Sequence, residues 1–227
     1  MLFYKSRDIR GVIFDMDGTI IDSLSLYHQC LNQELEMTGL QPVSEDLLFR
    51  NLGMGISLRD ILRKIISDNR DDAVIKTIAD GILERFMKVD MEVPLLPGVN
   101  EIFSFLKTEG VKIGIATGRP SGAAYEWKRF NHIGLSVFIN TIVTAAEVAK
   151  RKPAPDLIAQ CARKMNVETI NCLVVGDSTS DVIAAKAADA ISVAVCTGVD
   201  DAVKLKEAGP EAVIERLDNM VGLLQYN

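Results

Sequence analysis

Apolar positions in this chain follow two rhythms. From residue 20 to 91 the spacing is helical throughout. Leu24, Tyr27, Leu31 and Leu35 form one stripe, Ile61, Leu62, Ile65 and Ile66 a second, and Ile75, Ile78, Ile82, Leu83 and Phe86 a third. Such stripes are the buried faces of amphipathic helices. They predict helices over residues 24–37, 44–51, 57–67 and 71–89, the first capped by Asp22 or Ser23 and stopped by Gly39. Val93-Pro94-Leu95-Leu96-Pro97-Gly98 fits neither rhythm and reads as a hinge. Elsewhere short apolar runs alternate with helical stripes. Strands are predicted at 12–14, 111–116, 140–143, 172–175, 191–195 and 212–214. Helices are predicted over 99–108, 121–131, 155–165, 181–188, 200–207 and 215–224. This alternation predicts an α/β chain, a parallel sheet covered on both faces. The expected division is a discontinuous core, residues 1–19 and 92–227, and an all-helical module, residues 20–91.

Composition narrows the partners. Of 227 residues, 48% are hydrophobic and 25% charged, which suits a packed core and not bulk disorder. A net charge of −6 argues against nonspecific nucleic-acid binding, which needs a basic surface. It leaves room for an anionic small substrate, because a metal ion or a lysine reverses the field inside a pocket. The four cysteines are scattered without zinc-like spacing, and Cys172 and Cys196 read as core thiols, a usage that fits a reducing cytoplasm. The first residues, Met1 to Asp8, reach charges at once and do not read as a signal peptide. No apolar run approaches the ~20 residues that span a bilayer, so no membrane partner is expected. Monomer and dimer are equally compatible with the sequence.

The candidate chemistry lies where predicted strands end. Val12 to Phe14 gives way to Asp15-Met16-Asp17-Gly18-Thr19. Carboxylates do not belong inside a buried strand unless they are paired or bind metal. Two at a strand's end suggest a divalent-cation site, an acid/base pair or both, against the plainer reading of turn-capping aspartates. The next strand leads to Thr117-Gly118-Arg119. A hydroxyl, a free backbone amide and a guanidinium suit phosphate, though Thr117 can equally cap a helix and Arg119 can be a surface charge. Prolines pin the basic run Lys150-Arg151-Lys152, which can aim Lys152 at an anion or can be a solvated loop. Gly176-Asp177-Ser178-Thr179-Ser180-Asp181 puts carboxylates four apart at a strand–helix junction, where Asp177 or Ser178 can also be a simple N-cap. In a parallel sheet these ends share the carboxyl edge, where open α/β folds bind ligands. Asp15, Asp177 and Asp181 carry −3, which Lys152 and a Mg²⁺ ion would neutralise. All-oxygen ligands without His or Cys favour Mg²⁺ over zinc.

In this order, Asp15-x-Asp17-Gly18-Thr19, Thr117, Lys152 and Gly176-Asp177-x-x-x-Asp181 resemble the haloacid dehalogenase superfamily of phosphohydrolases. The resemblance covers nearly the whole chain. It implies a Rossmann-like core with a helical cap and a Mg²⁺-dependent aspartyl-phosphate mechanism. It implies Asp15 as nucleophile and Asp17 as general acid/base. Thr117, Gly118, Lys152 and Arg119 would meet the phosphoryl group. Asp15, Asp17 (through its carbonyl), Asp177 and Asp181 would surround the metal. Asp17 separates the chain from metal-free dehalogenases. Leu58 stands where phosphonate-cleaving relatives carry a Schiff-base lysine. Leu58 and Gly176 stand where phosphoglucomutase-like relatives carry Arg and Glu. Gly55 to Leu62 is similar to the cap loop of phosphoglycolate phosphatase-like enzymes, with Ser57 in place of a frequent proline and Gly118-Arg119-Pro120 in place of Asn-Lys-Pro. The expected function is hydrolysis of a small soluble phosphorylated metabolite. A sugar-phosphate or nucleotide phosphatase, a pyrophosphatase, a mutase and an inactive binding module are the alternatives. Arg50, Asn51, Met54 and Arg59 are the candidates for selecting the leaving group.

Overall fold

The computed structural model describes residues 2–66 and 71–226. The chain opens with strands β1 (Leu2–Tyr4), β2 (Arg7–Ile9) and β3 (Gly11–Phe14). Four helices follow: α1 (Leu24–Met37), α2 (Glu45–Gly53), α3 (Leu58–Ile65) and α4 (Asp72–Val89). Then come α5 (Val99–Thr108), β4 (Lys112–Thr117), α6 (Ala123–His132), β5 (Thr141–Thr144), α7 (Asp156–Met165), β6 (Cys172–Gly176), α8 (Thr179–Ala187), β7 (Ile191–Val195), α9 (Ala202–Ala208), β8 (Ala212–Ile214) and β9 (Gln225–Tyr226).

Six strands form a parallel sheet in the order β5-β4-β3-β6-β7-β8. Its two halves wind outward from β3 and β6, the doubly wound arrangement whose ligand crevice lies where the order reverses. Phe14 pairs with both Ile115 and Val175, so the carboxyl ends of the three central strands are level. Side chains alternate between two apolar layers. Val12 and Phe14 join Phe103, Ile115 and Val175 in one layer. Ile13 joins Ala116, Leu157, Cys161 and Val174 in the other. Helix α7 lies close against β4 at Gly114, where a Cβ would come within 2.4 Å of Cys161 Sγ. Cys30, Cys161 and Cys172 are buried thiols and Cys196 is partly buried.

Helices α1 to α4 bury an apolar cluster of their own, with Leu31, Leu35, Leu48, Ile61, Leu62, Ile78 and Ile82 at its centre. Ser44, Ser57 and Asp71 cap α2, α3 and α4 by accepting backbone N–H bonds from Leu47, Asp60 and Ala73. The two chain crossings between this cluster and the sheet run beside each other. Asp22 donates its backbone N–H to Pro94, Leu96 donates to Ile20, and Ile21 bridges Leu95 in antiparallel fashion.

Several expectations need correction. Residues 2–9 form a hairpin that, with β9, makes a second, antiparallel sheet in the order β2-β1-β9. Strands this short show too little alternation to be read from sequence. The final helix predicted over 215–224 is a 3-10 segment, Leu217–Leu223. Ser23 occupies the N-cap of α1 but accepts no capping bond; its hydroxyl is used elsewhere. The predicted end of the third helix, Ser67, lies outside the described residues. Among the described residues, no helix is long and apolar enough to cross a membrane.

Candidate active site

Asp15 follows β3 and donates its backbone N–H to Val175 at 2.8 Å, which ties it to the end of β6. Lys152 reaches it from the loop before α7. The buried ammonium donates to Asp15 Oδ1 at 2.7 Å and to the Ala116 carbonyl at 2.7 Å, and lies 2.6 Å from Asp181 Oδ1. Burial alone would lower the Lys152 pKa, but Asp15 and Asp181 outweigh it and hold the ammonium charged. Lys150 and Arg151, by contrast, are exposed, and Arg151 borders the site cavity.

Asp177 follows β6. Its carboxylate accepts from the Thr19 hydroxyl at 2.9 Å and from the Val199 backbone N–H at 2.8 Å. Ser178 caps α8, and Asp181 completes a capping box with it. The N-cap reading and the site reading of this junction therefore hold together. One oxygen of Asp181 serves the cap and the other faces Lys152.

Carboxylate oxygens of Asp15, Asp177 and Asp181 lie within 4.8 Å of one another. Burial, reinforced by Asp181 and Asp17, pushes Asp15 up to about 7 despite Lys152. Burial and the charges of Asp15 and Asp181 push Asp177 well above the usual range. Three buried carboxylates against one ammonium leave an excess of negative charge. A hard divalent cation with oxygen ligands fits that donor set. Gly176 and Gly198 make room for two of the carboxylates: a Cβ would lie 2.3 Å from Asp181 Cγ in the first case and 1.8 Å from Asp177 Oδ2 in the second.

Asp17 points into different surroundings. Arg119 donates to its Oδ2 from Nε at 2.9 Å and to its Oδ1 from Nη2 at 2.6 Å, and the Ser23 hydroxyl donates to Oδ1 at 2.5 Å. Burial favours the protonated form, but the guanidinium and the hydroxyl prevail and hold Asp17 below the ordinary carboxylate range. Arg119 is therefore not a surface charge; its fork is engaged with Asp17 and Asp90. Thr117, the last residue of β4, is fully buried, and its hydroxyl accepts from the Arg119 backbone N–H instead of capping α6.

The other site residues predicted from sequence meet in a cavity of about 520 Å³ between the sheet edge and the helical cluster; Thr117 lies behind its lining. Asp15, Asp17, Gly118, Arg119, Lys152, Asp177 and Asp181 line its floor. Leu24, Leu52, Ile56, Leu58, Leu83 and Phe86 line its walls. Of the residues expected to select the leaving group, Arg59 reaches the cavity. Arg50 instead pairs with Asp46, the Asn51 amide donates to the Leu47 carbonyl, and Met54 is exposed beyond the cavity lining. Sequence reasoning named Ser23 only as a cap and Thr19 only as part of the first motif, without their bonds to Asp17 and Asp177, and missed Asp90. Asp90 carried a signal: a carboxylate at the end of a predicted helix sits at the negative pole of its dipole and calls for a partner.

Comparison with known proteins agrees with this geometry. Residues 12–195 match the family of haloacid dehalogenase-like hydrolases. A phosphoglycolate phosphatase of Rhodospirillum rubrum is 32% identical over 186 residues, 79% of this chain and 76% of that protein. A phosphorylated carbohydrates phosphatase of Thermotoga maritima is 30% identical over 211 residues, 91% of this chain and 94% of that protein. The crystal structure of a hydrolase from Pseudomonas syringae, 27% identical, superposes with a TM-score of 0.79 and covers 94% of this chain and 97% of that one. The chain belongs to the haloacid dehalogenase-like hydrolases, and it is a phosphoric monoester hydrolase of that family.

Proposed function

We propose that the chain hydrolyses a small phosphomonoester with Mg²⁺ through a phosphorylated Asp15. The observation that carries this reading is the shared cavity: Asp15, Asp17, Lys152, Asp177 and Asp181 all line it. Residues 20–91 act as a cap over the core formed by 1–19 and 92–227, and their separate apolar cluster supports that division.

In the first step a carboxylate oxygen of Asp15 attacks phosphorus and the ester oxygen leaves. Asp17, once re-aimed out of the Arg119 and Ser23 contacts that keep it ionised, and reprotonated from water, gives that oxygen a proton. In the second step Asp17 takes a proton from water as the water oxygen attacks phosphorus, which frees inorganic phosphate and restores Asp15. Lys152, already against Asp15, offsets the repulsion between carboxylate and phosphate. Gly118, on the cavity floor, would hold a phosphoryl oxygen through its backbone N–H, and Thr117 would join it by turning its hydroxyl away from the Arg119 N–H. Mg²⁺, held by Asp15, Asp177, Asp181 and the carbonyl of Asp17, would supply further neutralisation of the dianion.

Phosphoglycolate is the first candidate substrate, after the Rhodospirillum relative, with Arg59 and Arg151 at the cavity edge to meet its carboxylate. A phosphorylated sugar is the second, and the size of the cavity favours it: about 520 Å³ exceeds what a two-carbon acid fills. Phosphate release from a panel of phosphorylated metabolites, with Mg²⁺ or with chelator, tests the proposal. Release is expected with Mg²⁺ and is expected to vanish in Asp15→Asn. Turnover by Asp15→Asn close to the wild-type rate would sink it.

A further inference from the structure

The contacts of Asp17 extend well beyond the carboxylate cluster. Ser23, on the first crossing between sheet and helices, donates to Asp17 directly. Arg119 holds Asp17 with Nε and Nη2 and turns Nη1 to Asp90 Oδ2 at 2.5 Å. Asp90 is fully buried at the C-terminal end of α4, where the second crossing begins. Three further bonds fix it there. Arg129 donates to its side chain and to its main-chain carbonyl, and the Tyr125 hydroxyl donates to Oδ1 at 3.0 Å. Glu126 holds Arg129 in turn at 2.8 Å, and the Phe86 ring lies 4.8 Å from the Arg119 guanidinium carbon. Asp17 is thus gripped from both crossings, by Ser23 directly and by Asp90 through Arg119.

We propose that Arg119 is a positioning residue that bridges Asp17 to Asp90, so that the aim of the Asp17 carboxylate follows the placement of the helical module. The inference rests on the acid/base role given to Asp17 above. A planar guanidinium presents separate edges to two carboxylates, which a single ammonium does not. A shift of the second crossing carries Asp90 with it and either pulls Arg119 along or breaks the bridge. In both cases Asp17 is re-aimed. Covering the site and readying the proton donor are then one movement.

The test compares phenyl phosphate with para-nitrophenyl phosphate. Phenolate needs a proton as it departs, whereas nitrophenolate leaves without one. kcat/KM reports the steps through departure, so it isolates the donor role of Asp17 from its later role with water. Asp90→Asn keeps shape and removes the anchoring charge. Arg119→Lys keeps charge and removes the bridge. Each variant is expected to lower kcat/KM for phenyl phosphate about tenfold or more and for para-nitrophenyl phosphate less than about threefold. An equal loss on both substrates, as a merely structural role would give, overturns the proposal, and so does no loss on either. If Asp90→Asn does not fold, Arg119→Lys decides alone. If the wild-type protein releases phosphate from neither ester, the catalytic reading has failed and the bridge falls with it.

Discussion

Asp15→Asn is expected to abolish turnover and to stabilise the metal-free fold at alkaline pH. In the absence of cation, Asp15 ionises at about 7 in the folded chain, against 3.8 for an ordinary aspartate. At about 1.4 kcal/mol per decade, ionised Asp15 costs the fold about 4 kcal/mol. The sign follows from proton binding. Between the two values the folded chain holds a proton that the unfolded chain has released. Stability conferred by the protonated form is therefore complete below about 4, falls as pH rises to about 7, and stays lost above it. Asn stands in for the protonated form and removes that cost, which already includes the pull of Lys152 on the ionised carboxylate. The net gain is about 4 kcal/mol at about pH 8 and falls to about 2 kcal/mol at about pH 5. Urea denaturation of both proteins in chelator, at the two pH values, measures it. A variant no more stable than wild type at the higher pH refutes the reasoning, and so does a gap that is the same at both. Mg²⁺ should close the gap, because binding stabilises the wild-type protein more.

Two further substitutions test the surroundings of the site. Gly176→Ala places a Cβ 2.3 Å from Asp181 Cγ and must displace that carboxylate; thermal unfolding with and without Mg²⁺ is expected to show the metal-induced rise in Tm shrink or vanish. Gly55 has φ +74° and a Cβ there would lie 2.5 Å from the Lys152 carbonyl oxygen. Gly55→Ala is expected to cost about 1–3 kcal/mol in denaturant titrations and to lower kcat/KM by shifting the Lys152 loop.

Much of this was legible because strong signals coincided. Apolar runs ending in Asp15, Thr117 and Asp177 marked strand ends, and a parallel sheet brings strand ends together. The stripes of residues 20–91 predicted α1 to α4 because each buries a face at helical spacing. What the sequence hid was mostly pairing between distant polar residues. Arg119 looked free to bind phosphate because nothing local reveals that Asp17 and Asp90 converge on it. Glu126 and Arg129, three apart on α6, resemble a surface pair and are buried. Ser23 looked like a cap and spends its hydroxyl on Asp17. The hairpin β1–β2 was missed because three-residue strands take their stability from partners, not from pattern.

The side-by-side crossings at residues 20–22 and 94–96 bear on how the chain assembles. Phe14 of β3 must find Ile115 of β4 across the whole helical insertion. Closing so long a loop is entropically costly, with a cost that grows as the logarithm of its length. Once Ile21 has met Leu95, the remaining gap is about a quarter as long, a saving of about 1 kcal/mol in closure entropy. The crossings thus act as a splice that lets the central strands pair as near neighbours in sequence. A weakened ribbon would slow the folding of the sheet without touching a residue of it.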